Sequence, residues 1–274
     1  MKVTLEQRYE ALREILHGYT AGVAIAFSGG VDSTFLLRAA RDTLGAGRVA
    51  AITARSAGFP ARELREAVDY CAVEGVRHVI CDAEELLVEG LAANPVNRCY
   101  LCKSALFLKI CAIARELGLG VVAEGSNLDD TGDYRPGMAA LAEQGIRSPL
   151  REAGLTKADI RALSREWGLP TWDKPALACL FTRIPYGEAI TEEKLRQIDA
   201  AELLLLELGL RQVRVRHHGT LACIETDEAG MALLAASAVR ERVYAAFKTY
   251  GFTHTAVDML GYRTGSMNEG VVET

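Results

Sequence analysis

The sequence predicts an α/β fold in which a doubly wound parallel sheet is followed by a smaller C-terminal α+β domain. In the first two-thirds of the chain, short predicted strands at 23–27, 48–54, 77–81 and 120–125 alternate with helical patterns. The run at 23–27 is apolar throughout and leads into Ser-Gly-Gly, as expected for a strand that is buried on both faces and ends in a tight turn. Beyond an irregular stretch at 169–175 with two prolines, the order of elements changes.

That stretch marks the predicted domain boundary, because proline-rich irregular segments commonly connect domains. We assign residues 1–172 to the first domain and residues 173–274 to the second.

The elements of the first domain follow from their apolar spacing and their capping residues. An amphipathic helix at 5–19 precedes the first strand, and an apolar helix then extends to about residue 44. Further helices are predicted at 60–75, 138–144 and 156–167, the last with Thr156 as its cap and Asp159 three residues later.

For the second domain the sequence predicts the order helix, strand, strand, helix, strand. Thr191 opens a long helix to Leu208, and the alternation of valine and arginine from Val213 to Arg216 predicts a half-buried strand. Residues 220–225 form its hairpin partner across Gly219. A helix over about 228–250, broken near residue 237, and a strand at 253–258 complete the domain. His217 and His218 are expected in an exposed turn.

Composition indicates an ordinary globular protein. Half of the 274 residues are apolar and the net charge is −5, so composition gives no reason to expect nucleic acid as a partner. No signal-like segment or membrane-spanning run is present, so we expect a cytoplasmic protein without a membrane partner. Seven cysteines, an odd number, then favour thiol, metal or cluster chemistry over a disulfide framework.

The stretch from Ser28 to Ser33 predicts a phosphate site. Glycines allow a close backbone approach, and a helix N-terminus offers N–H groups and partial positive charge. No Gly-Lys-Ser/Thr follows, so this is not a Walker A loop. It resembles the SGGxDS pyrophosphate loop of the PP-loop ATPases, the adenine nucleotide alpha hydrolase-like fold, which cleave ATP between the α and β phosphates.

Polar residues at other strand ends are further candidates, because ligands bind at the carboxyl ends of parallel strands. Ser56 is a candidate adenine contact or, alternatively, a helix cap. Asp129 and Asp130 could hold Mg²⁺ or be turn and cap carboxylates, with Asp32 the stronger candidate for Mg²⁺. The predicted ATP-binding set is Ser28, Gly29, Gly30, Val31, Asp32, Ser33, Ser56, Gly125, Asp129 and Asp130.

Three cysteines stand apart from apolar patterns. Cys99 and Cys102 form a Cys-x-x-Cys motif before an apolar helix, which is typical of a redox pair, half of a zinc site or part of an iron–sulfur site. Cys179 lies near an arginine, between prolines. We interpret the other four as buried hydrophobic residues: Cys71, Cys81, Cys111 and Cys223.

Taken together, five motifs resemble the LarE family, the ATP-dependent sulfur transferases that build the nickel-pincer nucleotide cofactor. They are the phosphate loop and the segments 130–137, 179–187, 213–217 and 261–263. The resemblance implies adenylation of a carboxylate of pyridinium-3,5-biscarboxylic acid mononucleotide, followed by attack of a sulfur donor at the position of Cys179 and loss of AMP.

The resemblance also implies cofactors and site residues. Cys99 and Cys102 place the chain in the branch that holds a 4Fe–4S cluster on three cysteines, here with Cys179, so that ATP, Mg²⁺ and the cluster are the expected cofactors. Phe181 and Thr182 depart from a common Cys-Leu-Ser-Ser-Arg pattern. Cys179, Asp32 and Arg183 are the expected catalytic residues. Independently of the resemblance, the size of the C-terminal domain favours a homo-oligomer.

The substrate is an anion, so guanidinium groups should bind it. We choose Arg183, Arg214 and Arg216, with Arg263 as a weaker candidate. The alternative for Arg214 and Arg216 is a solvated face of an edge strand.

Other functions compete with this one. A tRNA thiolase or a thiouracil desulfidase could use the same kind of 4Fe–4S cluster, although the acidic composition argues against RNA binding. An amidotransferase-type synthetase is disfavoured because no glutaminase region is evident. A non-enzymatic adenine-nucleotide-binding protein is the alternative of a different class, and release of pyrophosphate distinguishes it from an enzyme.

Overall fold

The computed structural model describes residues 3–131, 136–175, 178–263 and 265–268. The chain divides into two compact units. The first comprises Met1–Glu85 and Cys99–Leu177, and the second comprises Leu86–Arg98 and Ala178–Thr274. The short segment Leu86–Arg98 therefore belongs to the second unit, although the sequence on either side of it belongs to the first.

The first unit contains a four-stranded parallel sheet in the order β3-β2-β1-β4. Its strands are β1 (Val23–Ala26), β2 (Val49–Arg55), β3 (Arg77–Asp82) and β4 (Val121–Ala123). Its helices are α1 (Leu5–His17), α2 (Val31–Leu44), α3 (Ala61–Glu74), α4 (Arg98–Glu116, whose first residue belongs to the second unit), α5 (Pro136–Glu143), α6 (Pro149–Glu152) and α7 (Lys157–Glu166).

Helices cover both faces of this sheet. Along β1, Val23 and Ile25 pack into one core cluster, which also contains residues of α1, α2, α3 and α7. Ala24, between them, packs into a second cluster with residues of α4 and α5. Because successive side chains of a strand point to opposite faces, the two clusters lie on opposite faces of the sheet. The predicted doubly wound α/β fold is confirmed.

The second unit contains a three-stranded sheet in the order β5-β6-β7. β5 (Val213–His218) pairs with β6 (Leu221–Thr226) in an antiparallel hairpin, and β7 (His254–Val257) is parallel to β6. The helices are α8 (Glu192–Glu207), α9 (Glu228–Leu234) and α10 (Ser237–Thr249), which share one apolar core with the sheet. The predicted hairpin and the predicted helix break near residue 237 are both confirmed.

Two local predictions are wrong. His217 is only 3% exposed and lies inside β5, where its Nε2 is 2.8 Å from Gln197 Oε1 of α8. Helix α4 begins at Arg98, so Cys99 and Cys102 are in the first turns of the helix rather than before it. In the described part of the chain, no helix combines the length and the apolar character needed to cross a membrane.

Candidate active site

The phosphate loop has the strand, turn and helix that its sequence predicts. Gly29 adopts φ +65°, a left-handed conformation that favours glycine, and Gly30 is the extended N-cap of α2. The Ser28 and Ser33 hydroxyl oxygens are 3.1 Å apart, and Ser33 Oγ donates to the Gly30 carbonyl at 3.2 Å. These bonds fix the turn at the end of β1, at the N-terminus of a 14-residue helix.

Gly125 follows β4 and lies against the first turn of α2. A Cβ atom added at Gly125 would be 3.0 Å from the backbone nitrogen of Ser33 and 3.2 Å from Asp32 Cβ. Only glycine permits this approach without displacing the backbone. The carboxyl ends of β1 and β4 therefore meet at the phosphate loop, which is a cradle of the kind that a nucleotide phosphate fits.

The three candidate Mg²⁺ ligands each accept hydrogen bonds from the protein. Asp32 forms an ion pair with Lys157 Nζ and accepts a bond from Asn127 Nδ2 at 3.3 Å. Asp129 Oδ2 accepts the backbone N–H of Lys157 at 2.8 Å, and Asp130 Oδ2 accepts that of Asn127 at 2.9 Å. Asp129 and Asp130 thus perform the turn and cap roles that were the alternative to metal binding.

Lys157 and Asn127 were absent from the predicted site. Lys157 is the first residue of α7, where the helix dipole favours acidic rather than basic side chains. A lysine at this position is a sequence signal for an anionic neighbour, and that neighbour is Asp32. Asn127 gives no comparable signal, because asparagine after a strand is common in turns.

Ser56 lies directly after β2 in a turn. Its Oγ accepts the backbone N–H of Gly58 at 3.0 Å, so the side chain supports the turn. A contact to adenine stays a prediction.

The candidate cluster ligands are distributed over both units. Cys99 is exposed and Cys102 is partly exposed in α4, in the first unit, whereas Cys179 is exposed and belongs to the second unit. Within residues 3–131, 136–175, 178–263 and 265–268, no group of three or more His, Cys, Asp or Glu side chains is placed to hold a metal ion. The three-cysteine ligand set stays a prediction.

The remaining cysteines differ in burial. Cys71 is fully buried, as predicted, and burial raises the pKa of its thiol to about 12. Three others are partly exposed rather than buried, although burial still raises the pKa of each thiol: Cys81, Cys111 and Cys223.

Arg183 is 2% exposed and its guanidinium is satisfied by protein acceptors. Nε and Nη2 donate to the two carboxylate oxygens of Glu202 at 2.8 and 3.0 Å. Nη1 donates to the carbonyls of Ala178 and Cys179 at 2.8 and 3.1 Å. Arg183 therefore fixes the backbone that carries Cys179, and its role as a substrate contact stays a prediction.

Arg214 and Arg216 lie on the opposite face of β5 from His217 and are 5% and 6% exposed. Arg216 Nη2 donates to Glu225 Oε2 at 2.6 Å. The Arg214 guanidinium lies 5.2 Å from the centre of the Tyr262 ring, and burial, followed by the charge of Arg183, lowers the pKa of Arg214. The predicted half-buried strand is wrong, since both faces of β5 are buried.

Arg263 is more exposed than the other three arginines and forms an ion pair with Asp258 at 3.1 Å. The Asp258 carboxylate accepts the backbone N–H of Leu260 at 2.8 Å as well, and this bond, together with the Arg263 guanidinium, holds the pKa of Asp258 below its usual range.

Comparison with known proteins identifies relatives along most of the chain. No family model matches. A Synechocystis protein of uncharacterised function is 41% identical over 96% of this chain and 98% of its own length. A tRNA-specific 2-thiouridylase, MnmA, from Azorhizobium caulinodans is 27% identical over 73% of this chain and 60% of its own length, which supports the predicted PP-loop fold.

The pyridinium-3,5-bisthiocarboxylic acid mononucleotide synthase of Lactiplantibacillus plantarum is 36% identical over 90% of this chain and 89% of its own length. This degree of identity, together with the phosphate loop described above, confirms that the protein is an enzyme and that the chain belongs to the LarE family.

Proposed function

We propose that the protein is an ATP-dependent sulfur transferase that converts the carboxylates of pyridinium-3,5-biscarboxylic acid mononucleotide to thiocarboxylates, with release of AMP and pyrophosphate. The observation that carries the proposal is a phosphate loop, with Gly29 in the left-handed conformation and Gly125 packed against the first turn of α2, in a chain that is 36% identical to the Lactiplantibacillus plantarum synthase. A cytoplasmic location and a homo-oligomeric state belong to the same proposal.

The first step is adenylation. A substrate carboxylate oxygen attacks the α-phosphorus of ATP, the bond between the α-phosphorus and the bridging oxygen breaks, and pyrophosphate leaves. The groups proposed to bind the departing phosphates are the N-terminus of α2 and the hydroxyls of Ser28 and Ser33, which lie together at the end of β1. The Lys157 ammonium, beside Asp32, adds a positive charge at the same end of the sheet.

Mg²⁺, when bound, supplies additional charge neutralisation on the phosphates. Asp32 is the carboxylate proposed to hold it, with Asp129 and Asp130. All three carboxylates accept hydrogen bonds from the protein in this structure.

The second step is sulfur transfer. A sulfur nucleophile delivered at Cys179 attacks the acyl carbon, the new carbon–sulfur bond forms, and the carbon–oxygen bond to AMP breaks. The exposed Cys179 is suited to this role because Arg183 holds the Ala178 and Cys179 carbonyls in place. A 4Fe–4S cluster on Cys99, Cys102 and Cys179, when bound, would supply a sulfide so that the cysteine is not consumed.

The proposed substrate carries a phosphate and carboxylates, and the second unit contains a cluster of arginines to bind these anionic groups. Arg183, Arg214 and Arg216 bring three guanidinium groups to one buried region that contains the carboxylates of Glu202 and Glu225. Three guanidinium groups outnumber the two carboxylates, so a further anion finds a favourable potential there. Arg263 is a further, more exposed candidate for binding the substrate.

The activity test is incubation with ATP, Mg²⁺ and the biscarboxylate mononucleotide under anaerobic conditions, with pyrophosphate and thiocarboxylate both measured. Cys179→Ala should abolish thiocarboxylate formation and retain ATP binding. Cys111→Ala, at a partly exposed cysteine within helix α4, is the matched control and should keep full activity. Unchanged thiocarboxylate yield in Cys179→Ala would exclude its proposed role.

The cluster is tested separately by iron and acid-labile sulfide analysis of protein purified without oxygen. About four irons and four sulfides per chain are expected for a 4Fe–4S cluster, with loss of both in a Cys99→Ala variant. A colourless protein with one equivalent of zinc would rule the cluster out.

A tRNA thiolase is the second candidate, favoured by the 27% identity to a tRNA-specific 2-thiouridylase. It predicts ATP-dependent incorporation of sulfur into tRNA. The net charge of −5 favours the small-molecule substrate, since RNA-binding proteins commonly present basic surfaces.

A further inference from the structure

Lys174 lies behind the phosphate loop and is absent from every assignment above. Its Nζ is 3.3 Å from the carbonyl oxygen of Gly29, the left-handed residue of the loop. The same ammonium donates to Glu63 at 2.5 Å and to Glu66 at 2.6 Å, both on α3. The lysine side chain, 16% exposed, thus connects the loop to the helix beneath it.

The backbone around Lys174 is also fixed. Arg161 of α7 donates to the Lys174 carbonyl at 2.8 Å and to the Trp172 carbonyl at 2.7 Å. Glu63 is 2% exposed and has a second cationic neighbour, Arg62, at 3.1 Å. Both ends of the lysine are therefore anchored, and its ammonium has a defined position under Gly29.

The contact determines which way one peptide group faces. In a trans peptide the carbonyl and the N–H point in opposite directions. The Gly29 carbonyl points toward Lys174, so the N–H of Gly30 points away from α3. A Cβ added at Gly29 would lie 3.6 Å from Ala67 of α3, whereas one added at Gly30 would meet only Ser28 Oγ, at 3.4 Å. The side that Gly30 faces is the open one.

The two glycines do not hold the peptide in this orientation by themselves. A Gly–Gly peptide can rotate to an alternative conformation at little steric cost, since neither residue has a Cβ. A rotated peptide would present the Gly29 carbonyl oxygen to the phosphate site, and this oxygen would repel an anion. A charge-assisted bond to the Gly29 carbonyl selects the orientation that donates instead.

We propose that Lys174 is a positioning residue for the adenylation step, which holds the Gly29–Gly30 peptide so that its N–H faces the β and γ phosphates of ATP. This inference rests on the proposed ATP chemistry of the first unit. Lys174 acts through the loop backbone and is not itself a ligand of the nucleotide.

The test compares two variants that share one background. Lys174→Met alone would leave the buried Glu63 carboxylate with less neutralising positive charge, which would destabilise the fold for a reason unrelated to the loop. Glu63→Gln removes that charge and leaves the Lys174 contact to Gly29 available, and Glu63→Gln/Lys174→Met then removes the contact. Lys109→Met is a control elsewhere in the unit, since Lys109 also bonds to two carbonyls and a carboxylate but at the end of β3.

Binding of ATP with Mg²⁺ and of AMP is measured by calorimetry for each protein, with thermal melting to verify folding. Relative to Glu63→Gln, the double variant should bind ATP about tenfold more weakly, the size expected for one charge-assisted hydrogen bond, while AMP affinity stays within about twofold. Lys109→Met should match the wild type. Equal ATP affinity in the double variant and Glu63→Gln, or equal weakening of ATP and AMP, would overturn the inference. Failure of the wild type to bind ATP would instead overturn the proposed function.

Discussion

Arg183 offers the sharpest test of how the second unit is stabilised. Its guanidinium and the Glu202 carboxylate form two parallel hydrogen bonds in a site where the side chains are 2% and 6% exposed. Glu202 Oε1 also accepts the backbone N–H of Val215 in β5 at 2.9 Å. Arg183→Met would leave this carboxylate buried with one backbone donor.

The size of the effect follows from burial. Removing one partner of a buried ion pair costs about 3–5 kcal/mol, because the other charge stays desolvated. Glu202→Gln in addition removes that charge and keeps an acceptor for Val215, so the double variant should be more stable than Arg183→Met by about 2 kcal/mol. The control is Arg196→Met, whose ion pair with Glu193 is exposed and worth less than about 1 kcal/mol.

Urea unfolding distinguishes the units, because both tryptophans, Trp167 and Trp172, lie in the first. Tryptophan fluorescence therefore follows the first unit, and far-UV circular dichroism follows both. With an m-value of about 1.5 kcal/mol per M, Arg183→Met should lower the urea midpoint for unfolding of the second unit by about 2 M or more. A shift no larger than that of Arg196→Met, or a double variant less stable than the single one, would refute the reasoning.

Three further predictions concern individual residues. Gly125→Ala should weaken ATP binding at least about tenfold, because its Cβ would press on the first turn of α2, whereas Gly47→Ala, which meets nothing within 4 Å, should be neutral in the same calorimetry. Lys157→Met should lower the rate of pyrophosphate release about 10²-fold with less than about 1 kcal/mol lost in urea unfolding, since its pair with Asp32 is partly exposed. Burial and Lys194 lower the pKa of His217 below 6.5 in the folded state, so the unfolded chain takes up the proton first and stability should fall as pH drops below about 6.5. His217→Gln, measured by urea unfolding across this range, should remove that part of the pH dependence, and an unchanged slope would contradict the assignment.

The sheet of the first unit is predictable from sequence because its signal is local. Residues 23–27 and 49–52 are apolar at every position, so both faces of these strands require apolar cover. The phosphate loop is equally local, since Gly29 and Gly30 are adjacent to the helix that they cap.

The lysines of the site are not predictable in this way. Lys157 pairs with Asp32 across 125 positions, and Lys174 pairs with Glu63 across 111. A lone lysine in sequence is most often solvated, and nothing within its own segment reveals a partner brought near by the fold. The same holds for Asn94, which is fully buried and bonds to the carbonyls of Ile184 and Pro185, and so holds Leu86–Arg98 in the second unit.

Strand β5 shows why alternation can mislead. Its alternating valines and arginines predict one solvent-exposed face, yet α8 and the turn at Leu180–Arg183 pack against the strand. Arg216 donates to the Thr182 carbonyl of that turn at 2.9 Å, so the polar side chains are buried by partners of their own. Periodicity reports which residues share a face, and burial of that face depends on what the rest of the chain places over it.

The same turn explains how an exposed thiol can be accurately positioned. Cys179 is at the surface, where a side chain is accessible to a substrate but its backbone is ordinarily mobile. Arg183 binds the Cys179 carbonyl with one nitrogen and the buried Glu202 with two others. The thiol segment therefore gains rigidity from an ion pair in the core, and the preference of a planar guanidinium for several fixed acceptors is why a lysine could not replace it. With Cys179 in its proposed role, sulfur transfer and the stability of the second unit depend on one side chain, so a variant of Arg183 should affect both together.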